Sequence, residues 1–93
     1  MAYSLDVDPP LKVKLKKLAK SDRILHSRLL KKVYDIINNP YQDTPYEGKM
    51  LGNVMKGNYG VHIGHFVLVY QIDHEKKLVI LKDFDHHDKI YSH

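Results

Sequence analysis

The hydrophobic period of this 93-residue chain changes partway along it, and the change limits the folds open to it. Leu11, Leu15 and Leu18 recur at helical spacing, as do Leu25, Leu29, Val33 and Ile36, with Leu30 and Ile37 widening the second stripe. Such spacing gives each of two helices one apolar face. Further on the period falls to two: Tyr59, Val61 and Ile63 alternate with Gly60 and His62, as along a strand with one buried face. Phe66–Ile72 and Lys77–Phe84 are two more β-rich runs, and Tyr3, Leu5 and Val7 alternate ahead of the helices. The order predicts an α+β fold, β-α-α-β-β-β, with two N-terminal helices packed on one face of a small, mainly antiparallel sheet.

Turn and cap residues divide these runs. Asp8 is placed to cap the first helix, with Pro9 at its first position, and that helix should end near Ser21-Asp22. Asn38-Asn39-Pro40 ends the second. Residues 40–50, broken by Pro40, Pro45 and Gly48, read as a loop, and the pattern is β from Val54 onward. Gly64-His65 is a plausible two-residue hairpin turn, and Asp73–Lys76 is another turn. A chain of this length suits one domain, residues 1–93.

Hydrophobic residues at 43% with 28% charged place the chain among soluble globular proteins. The longest apolar run, Phe66–Tyr70, is far too short for a membrane span, and the N-terminus lacks the pattern of a signal peptide. A cytoplasmic protein with no membrane partner is expected, and the lack of cysteine excludes disulfides. The net charge of +4 is unevenly spread: residues 11–32 carry nine of the fifteen Lys and Arg against a single acid, Asp22. One face should therefore be basic, either simply solvated or attractive to a polyanion or an acidic protein.

Chemistry near neutral pH falls to histidine, the side chain that ordinarily titrates there. Four of the seven lie in two short stretches, His62 with His65 and His86 with His87, the second pair just ahead of Tyr91. If the helices cover the face carrying Val61 and Ile63, His62 points to the opposite, uncovered face. Proton transfer is one reading. A metal site is the other, resting on His62-x-x-His65 and on Asp83, Asp85, His86, His87 and Asp88. Against it, His62 and His65 flank a turn, and His86 and His87 diverge if extended, so no metal or other cofactor is expected. His26 and His74 read as solvated surface, Tyr59 and Tyr70 as packing, and Tyr91 as either a positioning group or a core plug.

The stretch Leu51–Tyr70 (LGNVMKGNYGVHIGHFVLVY) and the ending Asp83–Tyr91 (DFDHHDKIY) resemble the RelE/ParE superfamily of type II toxins. A Leu precedes a Lys-Gly pair, a Tyr-containing strand, a Gly turn and a strand ending in Tyr, and a basic residue precedes the terminal aromatic. The histidine-rich pattern looks most like the YafQ type of ribosome-dependent mRNA interferase. The resemblance implies metal-free endoribonuclease activity, with mRNA on the ribosome and a cognate antitoxin as partners. The basic helices would meet ribosomal RNA or an acidic antitoxin segment. By the same resemblance the catalytic positions fall on His62, His65, His87 and Tyr91. The family's acid is replaced by His65, and a further family His corresponds to Lys49 or is absent. Counting back from Tyr91, four residues give His87 and five give His86. Relatives of the RelE type carry arginines where this chain has Gly60, His62 and Val67. Phosphate charge would fall to His62, His86, Lys49, Lys56 or Lys82, with Phe66 stacking on a splayed base. Two alternatives follow from the same resemblance: a non-enzymatic ParE-like inhibitor of DNA gyrase, and a decayed relative that only binds antitoxin or nucleic acid.

Overall fold

A computed structural model describes residues 2–40, 49–50 and 58–91. Helix α1 spans Pro9–Ser21 and α2 spans Arg23–Asn38, as the two stripes require. Asp22 forms the corner between them. Its backbone N–H donates to the Leu18 carbonyl of α1 at 2.8 Å, and its Oδ1 accepts the Leu25 N–H of α2 at 3.1 Å. A side-chain cap of this kind is worth about 1 kcal/mol. At the far end the Asn38 and Asn39 side-chain amides donate to the carbonyls of Tyr34 and Asp35, satisfying the last turn of α2.

The helices lie against a sheet of β1 (Ser4–Val7), β2 (Lys49–Met50), β3 (Tyr59–Ile63), β4 (Phe66–Asp73) and β5 (Leu78–His86) in the order β1-β5-β4-β3-β2. Only β1 against β5 is parallel; the other three pairings are antiparallel. Leu25, Leu29, Val33 and Ile36 of α2 meet Val61, Ile63, Leu68, Tyr70, Val79, Leu81 and Phe84 in one core. Tyr59 stacks on Tyr70 at 5.7 Å between ring centroids, so both tyrosines pack as expected.

Four expectations are corrected. Lys49 and Met50, assigned to a loop, form the edge strand β2, with Lys49 opposite Gly60 of β3. Leu30 is 54% exposed and does not widen the buried stripe. The Asp8 side chain makes no capping bond; its Oδ2 pairs with Lys82 Nζ at 3.0 Å. A third helix, α3 (His87–Tyr91), follows β5 directly and folds over the sheet's reverse face.

That last element explains the β4 sequence. Leu68 and Tyr70 face the helices, whereas Val67 and Val69 are wholly buried on the reverse side against Ile90 of α3. A strand covered on both faces reads as a continuous apolar run, which Phe66–Tyr70 is. A register shift between Val69 and Tyr70 pairs Val69 with Asp83 and Tyr70 with Leu81, skipping Lys82. The extra residue lets Leu81 and Phe84, three apart, both reach the same core. Among the described residues no helix is long and apolar enough to cross a membrane.

Candidate functional site

Gly64 and His65 join β3 to β4. Gly64 has φ +62° and is the one positive-φ position of that turn, the pattern of a type II′ hairpin with glycine first. The turn sets His62 and Ile63 against Val67 and Phe66, so His62 lies on the reverse face with Val67. The expected placement of His62 holds, but the face is not bare, because α3 crosses it. Two contacts hold α3 there: Ile90 on Val67 and Val69, and the His87 N–H donating to the His65 carbonyl at 2.9 Å.

Docking of α3 gathers aromatic rings from distant parts of the chain. His62 lies 6.0 Å from His87 and 6.2 Å from Tyr91, and His87 lies 5.6 Å from Tyr91, centroid to centroid. These three enclose one patch. A second patch adjoins it: His65 stacks on His86 at 6.2 Å, and Phe66 lies 5.7 Å from His86 and 5.2 Å from Phe84. His86 and His87 are themselves 6.1 Å apart and link the two. Tyr91 is 43% exposed; Ile90, not Tyr91, is the core plug.

The sequence marks Asp88 only as a possible metal ligand, yet its Oδ1 lies 2.9 Å from His87 Nδ1. With Nδ1–H donating to that carboxylate, His87 Nε2 is left as the lone-pair nitrogen. The sequence signal for this role, an acid directly after the histidine, acquires meaning only once the backbone turns helical. The same turn changes the metal reading. His86 and His87 do not diverge, and with Asp88 they bring one donor each within 4.8 Å of one another. Asp83 and Asp85 are drawn away, to Lys14. His62 and His65 part company, one to each patch.

Lys14 of α1 reaches the stretch of β5 beyond the end of β1, with Nζ 3.2 Å from Asp83 Oδ1, 3.1 Å from Asp85 Oδ2 and 3.0 Å from the Phe84 carbonyl. Burial opposes the Lys14 charge, but hydrogen bonds to Asp85 and Asp83 outweigh it and hold its pKa above the ordinary value. Burial likewise opposes ionisation of Asp85, and is outweighed by the His86 backbone N–H and by Lys14, which keep the carboxyl below its usual range. Asp85 then stabilises the fold at neutral pH and loses that contribution as pH falls below its usual 3.8. Lys14 contributes up to its usual 10.5 and is lost at higher pH. At this exposure Lys14→Met should cost only about 0.5–1 kcal/mol at pH 7. Urea titrations should show the loss between these limits, shrinking toward pH 3; equal loss at pH 3 and pH 7 would contradict the pairing.

Lys82 is not brought to the rings, being paired with Asp8. The backbone of Lys49 pairs with Gly60, two residues before His62, and Lys56 lies outside the described residues. His74 is not merely solvated: Nδ1 lies 3.0 Å from the Tyr3 hydroxyl.

Comparison with known proteins then bears on this arrangement. The family model for ParE toxins of type II toxin-antitoxin systems matches residues 5–91. The chain is a type II toxin of the RelE/ParE superfamily. The toxin is 41% identical over 90 residues to an uncharacterized Methanosarcina mazei protein, covering 96% of this chain and 99% of the other. It is 39% identical over 91 residues to a Methanocaldococcus jannaschii protein named, as a candidate toxin, RelE4, covering 97% and 92%. Its fold matches a chain of the RelBE2 toxin-antitoxin complex of Mycobacterium tuberculosis with a TM-score of 0.74 at 22% identity, over 92% of this chain and 99% of that one.

Proposed function

We propose that this toxin is a ribosome-dependent mRNA endoribonuclease that cuts by metal-free acid-base catalysis in the cytoplasm and is held inactive by a cognate antitoxin. The observation that carries the reading is the convergence of His62, His87 and Tyr91 on one exposed patch. Metal-free cleavage needs a base for the ribose 2′-OH and an acid for the departing 5′-oxygen. The 2′-oxygen bonds to phosphorus, the P–O5′ bond breaks, and the products are a 2′,3′-cyclic phosphate and a 5′-hydroxyl. His87, oriented by Asp88, is suited to the base or acid role through Nε2. His62 serves as its partner or as a phosphate contact, with His65 a second candidate base. Tyr91 and Phe66 stack on or position the RNA, and His86, Lys49 and Lys56 offer charge to the phosphate.

The openness of the patch favours dependence on the ribosome. Half of the His87 side chain is solvent-exposed, and an open, wet site weakens every electrostatic contribution to the transition state. A second surface closing over it would remove that weakness, and the nine basic residues of 11–32 suit ribosomal RNA phosphates. The antitoxin reading draws on the type II family and on the M. tuberculosis complex.

The test is primer extension on mRNA from Mg²⁺-stabilised programmed ribosomes incubated with toxin stripped of transition metals by 1,10-phenanthroline. Discrete cuts at the A-site codon are expected. Cuts that vanish on this treatment and return with added zinc would instead favour metal held by His86, His87 and Asp88. No cuts, combined with inhibition of gyrase supercoiling, would replace the reading with a ParE-like one.

A further inference from the structure

Gly60, His62 and Val67 bring no guanidinium to the β3–β4 hairpin, but one approaches it from another element. Arg28 of α2 reaches across to the β3–β4 turn: a Cβ added at Gly64 would stand 3.4 Å from Arg28 Nη1 and 4.0 Å from Nη2. Glycine there serves the turn's positive φ, and the Arg28 head lies in van der Waals range of it. Among the described residues that head has no ion-pair or hydrogen-bond partner.

A cleft of about 210 Å³ opens beside it, walled by Ile24, Leu25 and Ile63, with Phe66, His65 and Arg28 completing the lining. Asp22 also lines the cleft, its Oδ1 already accepting the Leu25 N–H. This volume is below the roughly 300–1,000 Å³ that takes a drug-sized ligand and suits a single base or phosphate. Apolar walls, an aromatic ring and a guanidinium with no partner among the described residues are the elements that bind one splayed nucleotide: stacking is worth about 1–3 kcal/mol per base, and the planar fork grips phosphate through two donors. The cleft shares His65 and Phe66 with the patch that adjoins His62, His87 and Tyr91, and the His65 carbonyl holds the first residue of α3.

We infer that the Arg28 cleft is a nucleotide subsite for single-stranded RNA, taking the phosphate and base that flank the bond to be cut. This rests on the endoribonuclease reading, so its test is binding without cleavage. Fluorescence anisotropy with a fluorescein-labelled pentaribonucleotide, in the His87→Ala background and off the ribosome, compares Arg28→Gln, Arg28→Lys and Lys76→Gln, the last in the distant β4–β5 turn. Arg28→Gln should weaken binding about tenfold and reduce the slope of log affinity against log salt by about 0.7, one phosphate contact on a single strand. Arg28→Lys should keep the slope and lose only part of the affinity, and Lys76→Gln should bind within twofold of the parent. Addition of the pentanucleotide should shift the Gly64 and His65 amide resonances. Equal affinity for Arg28→Gln and Lys76→Gln overturns the subsite. So does a defect of Arg28→Gln confined to antitoxin binding, which would assign the cleft to an acidic protein segment. Binding that depends on Arg28 in a toxin that never cuts mRNA would keep the subsite and discard the nuclease.

Discussion

His87→Ala should lower mRNA cleavage on programmed ribosomes by roughly 10²- to 10⁴-fold, the contribution of one well-placed acid or base. Several observations direct the expectation to His87 rather than to its neighbour. His87 shares its patch with both His62 and Tyr91, whereas His86 stacks on His65 and meets Phe66 edge-on. Asp88 fixes the His87 ring through Nδ1, while His86 Nδ1 lies 3.7 Å from that carboxylate. Half-exposed, the His87 side chain adds little to stability, so the unfolding free energies of mutant and parent from urea titrations should agree within about 0.5 kcal/mol. Undiminished cleavage by His87→Ala would remove it from the chemistry, and a larger loss from His86→Ala would transfer the role to the five-residue register.

Ile90→Asp should abolish cleavage nearly as completely, by a different route. Five residues cannot hold a helix alone, so α3 depends on what it packs against. Ile90, with Val67 and Val69, forms a reverse-side cluster separate from the main core. A carboxylate there forfeits about 1.5–3 kcal/mol of apolar burial and adds a desolvation cost, releasing α3 and with it His87 and Tyr91. The main core should survive: far-UV circular dichroism keeps the signal of α1 and α2, unfolding stays cooperative, and the Tm falls by roughly 10–20 °C. Ile90→Val should restore most of the activity. Full activity in Ile90→Asp would show that α3 does not position the catalytic groups.

Much of this was legible in the residues, for reasons that also mark the limit. Leu25, Leu29, Val33 and Ile36 form four successive contacts of one helix face, enough repeats to establish a period. Gly64 fits the β3–β4 turn because two β runs flank it, and alternation alone put His62 opposite Val61. The C-terminal helix offers no such repeat, since DHHDKIY holds a single buried aliphatic, Ile90, and one turn has no period to read. The strand β2 is two residues among Pro and Gly signals. Lys82 falls in a bulge, and Asp8 is drawn from its helix to that lysine; both depend on how β5 meets its neighbours. Arg28 was one of nine basic residues on the helices, and only the approach of α2 to Gly64 distinguishes it.

The most direct measurement is the chemistry of the new mRNA 3′ end, formed on Mg²⁺-stabilised programmed ribosomes by toxin stripped of transition metals. Attack by the 2′-OH leaves a 2′,3′-cyclic phosphate, which blocks poly(A) polymerase until a phosphatase active on cyclic ends removes it. The wild-type toxin should produce that terminus and His87→Ala should not. A 3′-hydroxyl opposite a 5′-phosphate would instead mean attack by water, and would contradict the account of His62 and His87.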